Sequence, residues 1–415
     1  CFIHKLPTEL LCAIFLMCGE RNHAFDCPRD EYAHLRHLNR PPQRFLYSRA
    51  SVLLGYVCSR WFAITRGYPR LWTLVDTAIP EAADIVALKA CLEYSAKLPL
   101  TLRMDDTNSS IPSDGAAVMY ATQCQRFMLL VAFAAHRWAE ISILWAKGTP
   151  KPIIVAGPLL SIPATSFRSL VRATIDFPAE DEGDFSASKC LWKGFSASAA
   201  LRTVRLRSFK SVNFYAEVLG SLPLQHLTNL GVHIIQPEDI MALLKGCPRL
   251  ESFSAIVFTA TGSNDGDWIH SRVTKPILLS RLRVLILSGQ HTFDNLFRGI
   301  MVPLLDRLDL TLTAVHADVI EDMLTRSNAQ LRMLSIWQCK LSKGVYIAAP
   351  DDIKDLLRRA ALQQLKIFRY TRKDVENDLF DPTPHLQQEH IFYTEDYYEG
   401  EIAYESIAAD RTLVD

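Results

Sequence analysis

Apolar residues keep two different periods along this chain, one near its start and one through the remainder. At the start, Leu10, Leu11, Ile14, Phe15 and Cys18 recur at helical spacing and give one broad apolar face. Leu6-Pro7-Thr8-Glu9 opens that helix, because proline is tolerated in a first turn and Glu9 complements the positive helix end. Gly19 predicts its stop. A second helical pattern follows Ser51, with Leu54, Val57, Cys58, Trp61 and Ile64 on one side and Gly67 as terminator. Pro69-Arg70-Leu71-Trp72 then leads into Leu74 and Val75, whose side chains can close a small core over the helices.

The second period begins with a helical face of Ile85, Leu88 and Leu92 and a short strand at Leu98 to Leu102. Thereafter a leucine, two residues, an apolar residue, one residue and another apolar residue recur eight times, starting at Leu170, Leu201, Leu227, Leu250, Leu282, Leu305, Leu331 and Leu362. Trp138 to Ile143 offers a ninth. In such a line alternate side chains enter one core. The starts are 31, 26, 23, 32, 23, 26 and 31 residues apart, near the roughly 20 to 29 of leucine-rich repeats. Helical faces alternate with the strands: Ile240, Leu243 and Leu244, then Val319, Ile320, Met323 and Leu324, then Ile353, Leu356, Leu357 and Ala360. Pro237-Glu238-Asp239 and Pro350-Asp351-Asp352 suit helix starts, while Lys245 and Arg358-Arg359 suit helix ends.

Strand followed by helix, repeated, predicts a solenoid with parallel strands along its concave face. A doubly wound α/β domain would make its strands apolar throughout. Arg205, Arg207, Asp309, Thr311 and Lys366 interrupt these, which predicts a solvent-facing side. Thr203, Arg205, Arg207, Arg283, Asp309, Thr311, Ser335, Trp337 and Lys366 are the candidates for that surface. Trp337 leads them, since tryptophan and arginine are enriched at binding hot spots; a core role for it stays open.

Charge and cysteine content then narrow the chemistry. The 415 residues carry 45 basic and 45 acidic side chains, so no global field favours nucleic acid or an anionic membrane. Ten cysteines without one C-x-x-C pair argue against a disulfide framework or zinc ribbon and for a cytosolic or nuclear setting. The apolar run Phe127 to Ala135 is too short to span a bilayer. Cys1 stands where an initiator methionine is expected, which suggests that residues precede it. Glu20 to Ala50 holds ten charged residues, six of them arginine, and reads as a surface loop; His23, Cys27, His34 and His37 within it match no zinc spacing. The tail after Lys373 reads as a cap on the last repeat or an acidic binding segment. No nucleophile elbow, metalloprotease helix, phosphate loop or dinucleotide fingerprint occurs, so neither an enzyme nor a cofactor is expected.

L-P-T-E-L-L-C-A-I-F at Leu6 to Phe15, V-C-S-R-W at Val57 to Trp61 and P-R-L-W at Pro69 to Trp72 together resemble an F-box. Their order is similar to the F-box-like proteins expanded in mushroom-forming fungi, and the repeats resemble the target-recognition half of F-box proteins with leucine-rich repeats. The resemblance implies that Leu6, Pro7, Leu10, Leu11, Ile14, Phe15, Val57, Cys58 and Trp61 contact a Skp-type adaptor, some of them serving instead as internal core. It also implies that the repeats hold a target for a cullin-RING ubiquitin ligase. The expected fold is α/β: an F-box-like helical domain at 1–75, an irregular leucine-rich-repeat solenoid at 76–373 and a cap or acidic tail at 374–415. A plain scaffold, in which the helices only cap the first repeat, is the alternative.

Overall fold

Leu11 and Phe15 are four residues apart, so coiling the first segment brings both to one side. They lie in α1 (Thr8–Glu20), fully buried. The computed structural model describes residues 5–20, 50–77, 80–105, 114–145, 152–176, 186–206, 218–234, 238–257, 275–289, 292–311, 315–337, 350–371 and 391–392. The insertion with its histidines, Arg207 and nearly all of the tail lie outside the described residues. The chain forms two compact units, one of residues 1–201 with 216–223 and one of 202–215 with 224–415.

In the first unit, the apolar pattern after Ser51 forms two helices rather than one, α2 (Ala50–Gly55) and α3 (Ser59–Gly67). Tyr56 and Val57 donate back to the carbonyls of Leu53 and Leu54 at 3.0 and 3.3 Å, and Cys58 is extended at φ −164° before α3 begins. A Cβ on Gly55 would lie 3.2 Å from Thr65 Oγ1, so glycine allows α3 to close on α2. Val57 thereby leaves its predicted face and is exposed. Trp61 of α3 meets Phe15 edge-on, ring centroids 4.7 Å apart. Leu6, Ile14, Leu54, Cys58, Ile64 and Leu71 pack around Leu11, Phe15 and Trp61.

A 3-10 turn at Pro69–Trp72 leads directly into a parallel sheet that the sequence pattern does not reveal at this point. Its strands are β1 (Leu74–Thr77), β2 (Leu100–Asp105), β3 (Trp138–Leu144) and β4 (Arg172–Asp176), each paired with the next. Four helices, α4 (Ala82–Tyr94), α5 (Asp114–Phe133), α6 (Pro152–Leu160) and α7 (Ser186–Ser196), pack in succession beside it. Strand alternation sends Leu100, Leu102, Met104, Ile141, Ile143, Ala173 and Ile175 into the core. Arg137 ties off α4, donating to the carbonyls of Leu92 at 3.1 Å and Leu98 at 3.0 Å and to Ser95 Oγ. No described helix is long and apolar enough to cross a membrane.

The second unit repeats the strand and crossover through β5 (Thr203–Leu206), β6 (Asn229–Ile234), α8 (Glu238–Gly246), β7 (Ser252–Val257), β8 (Ile277–Leu278), β9 (Val284–Ser288), α9 (Asp294–Gly299), β10 (Ile300–Met301), β11 (Arg307–Thr311), α10 (Ala317–Ser327), β12 (Met333–Trp337), α11 (Pro350–Arg358), β13 (Ile367–Thr371) and β14 (Ile391–Phe392). β8 and β10 pair only with each other; the rest form one parallel sheet in chain order. The predicted helical faces are the buried ones, among them Ile240, Leu243, Leu244, Val319, Ile320, Met323, Leu324, Ile353, Leu356 and Leu357. The fold is thus an α/β repeat built on parallel strands, as the leucine spacing predicts.

The leucines work in a uniform way. Each sits in a turn two residues before its strand, and the next residue donates its N–H across to the preceding repeat. Thr228 reaches Arg202, Glu251 reaches Thr228, Arg283 reaches Glu251, Asp306 reaches Arg283, Arg332 reaches Asp306 and Lys366 reaches Arg332, at 2.7 to 2.9 Å. This ladder corrects the reading of the last repeat. Leu365, not Leu362, is the equivalent leucine, and Lys366 precedes the strand rather than lying in it. Leu362 instead ends a 3-10 turn, Ala360–Leu362, and is its one buried residue.

Candidate functional site

Helix geometry divides the adaptor candidates by where they point. Leu11 and Phe15 are 0% exposed and Trp61 is 8% exposed, so these three are internal core, not contact residues. Leu6, Ile14 and Cys58 are half-buried against them, and Arg60 fixes the start of α1 by donating to Leu6 O at 2.6 Å. Pro7, Leu10 and Val57 remain outward, the latter two at 52% and 57% exposure.

The sequence pattern misses Met17, Leu53, Tyr56 and Phe62, all exposed large apolar side chains. Met17 lies seven residues after Leu10 and Ala13 lies between them, so the three form one outer stripe of α1. Tyr56 protrudes from the break between α2 and α3, which a continuous helix would not present. Arg66 partly covers Phe62, with its guanidinium carbon 4.0 Å from the ring centroid. Cys12 sits between core and stripe; burial, and then Glu9, push its thiol pKa up.

On the first unit's sheet, the side facing away from the core carries a charge ladder. Arg103 lies 3.5 Å and Arg172 4.0 Å from Glu140. Asp76 is beside Arg103 in register. Burial raises its carboxyl to about 6, Arg103 opposing and Asp105 adding to the rise. A void of about 10 Å³ beside Asp76 and Leu88 is no larger than a water molecule needs.

The second unit's equivalent side differs from the solvent-facing surface predicted for it. Asp309 is 0% exposed, and Thr311, Ser335 and Arg307 are also buried. Arg307 Nε lies 3.0 and 2.9 Å from the two carboxylate oxygens of Asp309, and Nη2 donates to one of them as well. Buried charge survives when it is paired in this way. Ser335 Oγ has no hydrogen-bond partner among the described residues. Thr203 and Arg205 are half-buried, while Arg283 is exposed but precedes β9. Trp337 ends β12 opposite Thr311; its side chain lies outside the described set.

No protein-family model matches the chain, and no curated protein matches it. Among solved structures it is similar to one described as the crystal structure of Rad7 and Elc1 complex in yeast. Identity is 12%, the TM-score is 0.37, and the match covers 88% of this chain and 87% of that chain.

The described residues hold no group of three or more metal-ligating side chains. The helices leave large apolar side chains exposed, and one side of the second unit's sheet is lined by arginines and hydroxyls.

Proposed function

We propose that the chain is the substrate-receptor subunit of a Skp-cullin-F-box type ubiquitin ligase. The helical segment binds a Skp-type adaptor, the repeats bind a target protein, and the chain itself catalyses nothing. One observation carries the reading. Leu11, Phe15 and Trp61 close the internal core, yet Leu10, Met17, Leu53, Tyr56 and Val57 are left facing outward. Large side chains that the fold does not use are what a partner interface requires.

The scaffold alternative is favoured by a different observation. Trp72 donates to Thr65 O at 2.6 Å and packs on Tyr94 of α4 with centroids 4.9 Å apart, so the helical segment also covers the start of the first sheet. Co-purification with a Skp-type adaptor from the same organism separates the two. Leu10→Asp with Val57→Asp removes two exposed contacts, each worth about 1.5 kcal/mol or more, so retention falls about a hundredfold while folding is kept. Retention by neither version leaves the scaffold.

A further inference from the structure

Three consecutive turns at the strand entrances of the second unit share one shape. The N–H groups of Leu250, Leu282 and Leu305 donate to the carbonyls three residues back, those of Cys247, Leu279 and Val302, at 3.2, 3.2 and 3.1 Å. Each leucine is buried, and the residue just before it is exposed in all three turns. That position holds Arg249, Arg281 and Leu304. The bond from Arg283 N–H to Glu251 O, 2.8 Å, sets the first two turns side by side, and adjacent strands lie about 4.8 Å apart. Arg249 and Arg281 are therefore neighbours of like sign.

Like charges set beside each other are destabilising unless an anion joins them. Among the described residues neither guanidinium has a hydrogen bond or an ion pair, and neither does that of Arg283, which is also exposed. Glu251 is the one acid in the first two turns. Asp306 of the third is held by Arg332, whose Nε lies 3.3 Å from its carboxylate. The whole chain is neutral, so the positive sign belongs to this edge alone.

Apolar surface continues the edge. Leu304 is 50% exposed, and Leu278 is 59% exposed on β8, which leads into the turn of Arg281. The ligand must then combine carboxylates with apolar side chains. The three turns, 247–251, 279–283 and 302–306, carry no aromatic residue on which the bases of a single-stranded nucleic acid could stack. Three free arginines also fall short of the four to eight clustered cations, roughly, that hold a protein to anionic lipid.

We infer that this edge binds an acidic segment of a partner protein, a carboxylate bridging Arg249 and Arg281 while an apolar side chain rests on Leu304 and Leu278. The inference rests on the part of the receptor reading that gives the repeats a protein target, and not on adaptor binding. Adaptor co-purification and the experiment below therefore fail separately.

The test follows fluorescence anisotropy of a labelled random copolymer of glutamate and leucine titrated with the full chain. The native chain is expected to bind it, and to bind it more tightly than poly-glutamate. Arg249→Gln with Arg281→Gln should weaken binding by roughly tenfold or more. Arg298→Gln with Arg358→Gln removes equal charge from exposed helix positions and should stay within about twofold of the native chain. No binding by the native chain, equal affinity for the two polymers, or equal losses in the two double variants overturns the inference. So does tighter binding of oligothymidylate or of phosphatidylserine vesicles. Should the Arg249 and Arg281 variant unfold, a photo-crosslinker in place of the exposed Ser280 in the otherwise native chain decides: crosslinks to the copolymer support the inference, and their absence overturns it.

Discussion

Removing the carboxylate of Asp309 tests whether the second unit's polar sheet side is an interior. With Asp309 0% and Arg307 9% exposed, Asp309→Ala breaks a buried ion pair by removing one partner, a change that costs about 3–5 kcal/mol. The double variant Arg307→Met, Asp309→Leu replaces the pair with apolar groups of similar volume, and such replacements are often neutral or stabilising. On a wet surface the same pair would contribute at most about 1 kcal/mol, and both changes would be small. Amide hydrogen exchange over 307–311 and 333–337 reads the stability of these strands without requiring both units to unfold together. At about 1.4 kcal/mol per decade, Asp309→Ala accelerates exchange there roughly a hundredfold to a few thousandfold, and the double variant restores most of the protection. Acceleration below about fivefold, or a double variant as damaged as the single, refutes the burial argument.

Other changes bear on the remaining elements. Burial holds the Asp76 carboxyl at about 6 against an ordinary 3.8, so the folded state keeps its proton longer than the unfolded chain. The Asp76 contribution to stability is then greatest below about pH 4 and is lost as pH rises through 6, about 3 kcal/mol in all; the difference in thermal unfolding between native chain and Asp76→Asn should follow that pH course. Gly289 has φ +150°, and a Cβ there would lie 2.6 Å from Val257 O; Gly289→Ala should lower stability by about 1–3 kcal/mol in urea unfolding. Leu11→Ala should cost about 2–5 kcal/mol, while Leu10→Asp on the exposed stripe should cost about 0.5 kcal/mol or less. Equal losses at the two neighbours in chemical denaturation would show that α1 is turned otherwise.

The strand leucines are legible because each fills the same turn before its strand. Leu362 and Leu365 both satisfy the spacing, and only the bond from Lys366 to Arg332 decides between them. β1 escapes notice because Leu74, Val75, Asp76 and Thr77 are too few to show a period. Leu10 and Leu11 are alike in sequence, and the direction of α1 alone makes one contact surface and the other core. The burial of Asp309 is legible in the sequence as well. An arginine two residues before an acid in a strand places both on one side, where they can neutralise each other and be buried.

The ladder from Arg202 to Lys366 has its own consequence for how such a chain can change. Each rung needs only the residue after the leucine, so the crossover between rungs can vary in length. Rungs here are separated by as few as 23 residues, from Thr228 to Glu251, and as many as 34, from Arg332 to Lys366. Insertions and deletions in the crossovers thus leave the strand register untouched, and one backbone pattern can carry many different outer surfaces.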